Sequence, residues 1–212
     1  MKTDDIMKRI ENGNSLADKL ANYLNFRFKY EFEKASIEED RNLMIDYKCK
    51  KNNKTAQFKC RENKSDIIYE VMRFYSLNGQ DHQEAPGRDV RTTSQLYICL
   101  SSDKKKIIVA ETEAVKKIIN KEMQKIIMNT GVAKQYELDC ESTRNKTKRL
   151  STSKSGIEIW FKVDEGRDSR YYSKVLVFIP YSAIFESITI DVRENENIED
   201  ERTWKNEWGT SF

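Results

Sequence analysis

Asp46, Gln57 and Lys59 are the residues of this chain whose types and spacing could do chemistry together. A hard divalent cation such as Mg²⁺ is bound by one or two carboxylates, by carbonyl oxygens and by water. It lets a phosphodiester oxygen and an attacking water share one positive centre. In that chemistry Asp46 is the anionic anchor, and the Gln57 side-chain oxygen with the main-chain carbonyl of Phe58 supplies neutral ligands. Lys59 positions or helps to deprotonate the water and offsets charge developing at phosphorus.

A hairpin must bring the trio together. Residues 43–49 (LMIDYKC) and 55–60 (TAQFKC) are short apolar-polar alternations that flank Lys50 to Lys54, where Asn52 and Asn53 favour a turn. Side chains alternate faces along a strand, which puts Gln57 and Lys59 on one side and Phe58 and Cys60 on the other. In the right register Asp46 joins the Gln57 side while Ile45, Tyr47 and Cys49 take the opposite one; a slip of one residue would undo this. A Gln and a Lys two apart are also the ordinary pattern of a solvated strand face in a chain with 34% charged residues.

At these positions the sequence resembles the PD-(D/E)XK nuclease superfamily, which includes many restriction enzymes, Holliday-junction resolvases and phage or mobile-element endonucleases. The match is Asp46, ten intervening residues, then Gln57-Phe58-Lys59 in place of (D/E)XK, with Asp66 to Tyr75 (DIIYEVMRFY) as the strand that follows the hairpin in the family. It covers about residues 38–110. Gln57 departs from the usual Asp or Glu and removes a negative charge from the metal site unless another acid compensates. Glu31, Glu38, Asp40 and Glu70 are the available donors, and Glu70 and Asp40 are preferred on the expectation that the third strand and the approach to the first border one cleft. The resemblance implies Mg²⁺ or Mn²⁺ as cofactor and DNA as substrate. It implies Asp46, Gln57, Lys59 and Glu70 as catalytic residues, with Asp46, Gln57, Phe58 and Asp40 as metal ligands.

Composition narrows the alternatives. The 212 residues suffice for a buried core, but only 38% are hydrophobic and the mean hydropathy is −0.80, so a thin core under a heavily charged exterior is expected. Lys and Arg total 38 against 35 acids, a net charge of +3, so any nucleic-acid surface must arise from local segregation. His82 is the only histidine, which removes Ser-His-Asp, Cys-His and multi-histidine metal sites. Cys49, Cys60, Cys99 and Cys140 lack any CxxC spacing and read as buried thiols rather than disulfides or a zinc site. Met1 to Asn14 is charged throughout, and the longest apolar run, Val175 to Ile179, is too short to cross a bilayer. A soluble, cytoplasmic protein with no secretion signal and no membrane partner is the expectation, with a homodimer left open. No Gly-rich phosphate loop occurs.

Elsewhere, Ser15 reads as the N-cap of an amphipathic helix carrying Leu16, Leu20 and Leu24. Phe26 to Glu33 fits a strand or a continuing helix equally. Residues 77–94 read as a long loop whose Arg88 and Arg91 could reach phosphates, and 95–101 with 106–110 read as a second hairpin. Thr112 caps a helix with Val115, Ile118, Ile119, Met123, Ile126 and Ile127 on one face, closed by Gly131. Residues 144–154 form a basic polar loop, in which Arg144, Lys146, Lys148 and Arg149 suit phosphate contacts. Three strands follow at 156–163, 174–180 and 187–192, the second apolar on both faces and therefore central. Trp204 and Trp208, one helical turn apart, suggest a short terminal helix docked on its own domain.

The expected fold is thus α/β (α+β), a mixed sheet with flanking helices of restriction-endonuclease-like type. Its expected segments are a nuclease-like core over 1–135, a basic loop and strands completing the same domain over 136–192, and an acidic, Trp-containing tail over 193–212. The expected function is a divalent-metal-dependent DNA endonuclease; the chain's Lys and Asn content is compatible with a phage origin. The alternatives are an inactive nucleic-acid-binding module of the same fold, or a viral or host interaction protein.

Overall fold

The structure is a computed structural model that describes residues 3–60, 66–75, 83–144, 146–165 and 171–205. It is mixed α/β, with two sheets and five helices among these residues. The chain forms two compact units, each assembled from separate segments. The first comprises Met1–Ser65, Thr93–Thr112 and Glu186–Phe212, and the second Asp66–Thr92 and Glu113–Phe185. These units cut across the segmentation at 135 and 192 expected from the sequence.

The first unit is a six-stranded mixed sheet. Its elements are α1 (Thr3–Phe28), β1 (Phe32–Lys34), α2 (Ile37–Leu43), β2 (Tyr47–Cys49) and β3 (Lys54–Cys60). A second pair of strands lies later in the chain, β6 (Leu96–Leu100) and β7 (Lys106–Glu111), and β11 (Ser187–Asp191) with α5 (Arg202–Lys205) comes near its end. The strand order is β1-β2-β3-β6-β7-β11, antiparallel except where β3 runs parallel to β6. Ser15 is not a cap but lies inside α1, because the helix extends back to Thr3. The ambiguous stretch after it holds both structures: helix to Phe28, left-handed backbone at Lys29 and Glu31, then β1. The Asn25 side chain fixes this reversal by accepting from the Phe32 N–H at 2.6 Å and donating to the Phe32 carbonyl at 2.8 Å.

Leu16, Leu20 and Leu24 of α1 pack on Phe32, Tyr47, Phe58, Ile98, Leu100 and Ile107. Trp204 closes this core at 0% exposure, with its ring 5.5 Å from Tyr23 and 5.3 Å from Phe26. That is the self-packing expected of the tail; Trp208 lies outside the described residues.

The second unit is a five-stranded antiparallel sheet in the order β5-β4-β10-β9-β8. Its strands are β4 (Asp66–Tyr75), β5 (Gln83–Pro86), β8 (Thr147–Thr152), β9 (Glu158–Glu165) and β10 (Tyr171–Pro180). Helices α3 (Thr112–Met123) and α4 (Thr130–Ser142) precede β8 in the chain. β10 is central, as its two-sided apolar run requires, with Val175, Val177 and Ile179 at 0% exposure. Four expectations need correction. The Thr112 helix stops at Met123, so Ile127 is exposed. Gly131 does not close it but lies in the first turn of α4, whose N-cap is Asn129 accepting from the Val132 N–H at 3.0 Å. The basic stretch after residue 144 is mostly β8, an edge strand rather than a loop, and the 77–94 stretch includes β5. His82 and the turn at 166–170 lie outside the described residues.

Trp204→Ala should cost about 3–5 kcal/mol of unfolding free energy, because it empties a filled aromatic site. Ser36→Ala should cost about 1 kcal/mol, because it removes a capping box in which Ser36 and Glu39 satisfy each other's backbone N–H groups. Urea unfolding of the full chain would measure both.

Candidate functional site

The hairpin expected around Gln57 and Lys59 forms, with Asp46 just ahead of its first strand. β2 pairs with β3 through Tyr47 with Ala56 and Cys49 with Lys54, and Asp46 stands just before β2. The rings of Tyr47 and Phe58 meet at 4.3 Å on the α1 side of the sheet, so Gln57 and Lys59 share the other side.

Asp46 ends the ladder with both its main chain and its side chain. Its N–H donates to the Ala56 carbonyl at 3.0 Å, its carbonyl accepts from Ala35 at 2.9 Å, and Oδ2 accepts from the Phe58 N–H at 2.8 Å. Where β2 has run out, the carboxylate therefore stands in for a strand partner. A residue's N–H and C=O point to the same edge of a strand, so the Phe58 carbonyl is directed to the edge that Asp46 occupies.

Gln57 is 2% exposed, and its Oε1 has no hydrogen-bond partner. An unsatisfied buried amide oxygen costs about 1–3 kcal/mol. Its cross-strand neighbour on β6 is Tyr97, and the Lys59 Nζ lies 6.0 Å from the centre of that ring. Asp46 and Lys59 are half-buried. The Asp46 charge is felt locally: burial first, and then this carboxylate, push the Cys60 thiol up to about 12. Burial, a hydrogen bond to Asp18 and the Asp46 charge raise the Tyr47 phenol as well.

A carboxylate oxygen, an amide oxygen and a main-chain carbonyl are the hard donor types that a cation keeping several of its waters, as Mg²⁺ does, would take. Among the described residues no three His, Cys, Asp or Glu side chains come together as a metal-holding group. Asp40 lies in α2, a surface helix.

Glu70 lies on β4, in the second unit, and not on a third strand of the hairpin's sheet. There its carboxylate accepts from the Arg73 Nε and, at 2.9 Å, from the Arg88 N–H, while Lys174 Nζ lies 4.0 Å away. Gly87 backs this spot, and a Cβ there would come 2.1 Å from the Glu70 carbonyl oxygen. Arg88 and Arg91 are exposed beside it, around a short 3-10 turn.

The other basic candidates are divided by β8. Arg144 and Lys146 are exposed just before the strand. Lys148 turns to one face, where it pairs with Asp139 at 2.7 Å and sits over Tyr136. Arg149 turns to the other face, where it pairs with Glu158 at 3.3 Å and stacks over Trp160 at 5.8 Å. On Arg149's face, Lys162, Lys174 and Arg73 lie opposite one another across β9, β10 and β4. Nothing local in the sequence announces that row, because its members are 73, 162 and 174 in the chain.

The four cysteines form no disulfide; Cys49, Cys99 and Cys140 are buried. Among the described residues no helix is long and apolar enough to cross a membrane. Comparison with protein-family models, with curated proteins and with solved structures gave no match.

Asp46→Ala should destabilise the chain by about 1–3 kcal/mol through the stranded Phe58 N–H, while Asp46→Asn, which keeps an acceptor oxygen, should cost less. Urea unfolding would separate the two. The Cys60 thiol, which ordinarily ionises near 9, stays protonated in the folded chain until about 12. Its contribution to stability is therefore complete below about pH 9 and is lost as the pH rises towards about 12. Cys60→Ser should flatten that part of the stability profile, and native Cys60 should resist disulfide-exchange reagents at pH 8.

Proposed function

We propose that the chain is a divalent-metal-dependent DNA endonuclease. The observation that carries this reading is the buried Gln57 Oε1, an amide oxygen with no hydrogen-bond partner, next in the chain to Phe58, whose N–H donates to the Asp46 carboxylate. A bound Mg²⁺ or Mn²⁺ would supply Lewis-acid stabilisation of the phosphodiester and lower the pKa of water.

The chain's own residues have distinct tasks. Asp46 contributes the single negative charge, and because Oδ2 is held by the Phe58 N–H, the carboxylate is fixed in orientation before any ligand arrives. Gln57 and the Phe58 carbonyl contribute neutral oxygens. Lys59, two residues on along the same face, would place its ammonium near a phosphate oxygen or hold the proton of the attacking water. The fit to Mg²⁺ is that of a weak site, since one carboxylate replaces the two that such sites commonly use.

A second reading is a module that holds nucleic acid without cleaving it. It is favoured by the engagement of Asp46 Oδ2 in a structural hydrogen bond, which leaves less of the carboxylate for a cation.

Incubation with supercoiled, linear and four-way-junction DNA in Mg²⁺ or Mn²⁺, with EDTA as control, separates the readings. An endonuclease should nick at least one substrate, lose activity with EDTA, and lose about 10²-fold or more in rate with Asp46→Asn or Lys59→Met. Gln57→Glu should lower the metal concentration needed for half-maximal rate. Metal-independent inertness of the native chain, with DNA binding unchanged or improved in Asp46→Ala, would establish the module instead.

A further inference from the structure

The outer edge of β11 lacks the devices that guard the other sheet edges. An edge strand presents backbone N–H and C=O groups to any passing strand, so proteins blunt edges with charge, proline, bulges or short length. β1 has three residues and carries Glu33 and Lys34. β5 carries Glu84 and ends at Pro86. β8 carries Lys148 and Arg149, and its register is interrupted between Arg149 and Ser151. β11, by contrast, pairs with β7 over all five of its residues without a bulge, and its one charge, Asp191, is at its end. Among the described residues no strand lies beyond it.

The ladder decides which backbone groups of β11 face outwards. The Lys106 carbonyl accepts from the Ser101 N–H at 2.9 Å, on the β6 side, so Ile107 and Val109 turn their backbone groups to β11. Their partners Ile190 and Ile188 therefore bond inwards, as does Val192, whose N–H donates to the Lys105 carbonyl at 2.8 Å. Thr189 and Asp191, both exposed, direct their N–H and C=O to the outer edge. On the α1 side Ile190 packs against the core, whereas Ile188 is 68% exposed beside an open groove that Leu96, Ile98 and Val109 also line.

We infer that a second copy of this chain pairs on β11, antiparallel about a two-fold axis at Thr189. The occupant follows from the strand's own sequence, Ser-Ile-Thr-Ile-Asp, which is self-complementary about that residue. Thr189 meets Thr189 of the second copy, Ile188 meets Ile190, and Ser187 meets Asp191. A threonine pair, an apolar pair and a hydroxyl with a carboxylate result, and no like charges are opposed. The outward backbone of Thr189 makes the central pair a hydrogen-bonded one. Ile188 and Ile190 then fall at the non-hydrogen-bonded positions, where side chains come closest, and Ile188 is covered. Because both copies use the same edge, the pairing closes on itself and stops at two, with the guarded β1 strands as the new outer edges. The inference does not rest on the nuclease reading.

The test is sedimentation equilibrium of the full-length chain over a concentration series, joined to disulfide trapping of the register. The native chain should pass from monomer to dimer and no further. Thr189→Pro removes an outward N–H while leaving the bonds to β7 in place, and Ile188→Lys sets a charge against Ile190. Each should raise the dimer Kd about ten-fold or more. Thr189→Cys, oxidised with copper phenanthroline and oxygen, should give a cross-linked dimer on denaturing gels, because paired Cα atoms there are about 5.5 Å apart. Ser187→Cys should not, since its two copies are displaced by about 14 Å along the strands. The native chain, in which Cys49, Cys99 and Cys140 are buried, sets the background. Should Thr189→Pro fail to fold by circular dichroism, Ile188→Lys and the trapping pair decide. A monomer at every concentration up to about 1 mM would overturn the proposal. So would masses that grow beyond the dimer, a dimer indifferent to both edge variants, or trapping at 187 as ready as at 189.

Discussion

The candidate site depends on the way Asp46 terminates the β2–β3 ladder. A carboxylate that accepts from the Phe58 N–H takes the place of a missing strand residue just ahead of β2. The same bond orients the hairpin's single acid at the edge of β3 to which the Phe58 carbonyl is directed. Were the register shifted by one residue, Tyr47 would leave the apolar side, where it meets Phe58 and α1. Core packing and site geometry are therefore coupled through one strand pairing, and the apolar face secures what the polar face needs.

The orphaned Gln57 oxygen and the Glu196 carboxylate of the tail show two different treatments of the same problem. In the tail, Tyr23 donates to Glu196 at 2.6 Å and Arg27 pairs with that carboxylate, so a buried acid is compensated within the chain. At Gln57 the acceptor is buried without such compensation. A protein with a few kcal/mol of net stability does not hold such a group without cost, which is why the position draws attention as a ligand site.

Legibility from the sequence followed the range of the interactions. The hairpin at 43–60, the 95–110 hairpin and the central strand at 175–179 were readable because their signals, alternation and turn residues, are local. Helix α4 was not, because its buried positions are Ala133, Glu137 and Cys140, a helical stripe with an acid in the middle and little apolar content. β8 was read as a loop because its solvated edge position needs few apolar residues. Gln57 and Lys59 could be placed on one face from spacing alone. Glu70 could not be placed, since strand partners more than a hundred residues apart decide its sheet: it faces Leu176 of β10, outside the hairpin's sheet.

The interleaved course of the chain has a further consequence for biosynthesis. The hairpin's sheet gains its last strand at Ser187–Asp191 and its aromatic plug at Trp204, whereas the five-stranded sheet is complete by Pro180. During translation the second unit can therefore finish while the first still waits for β11 and for Trp204 to close its core. A ribosome that stalls late in the message would release a chain with one finished half and one open core, a ready target for chaperones and proteases.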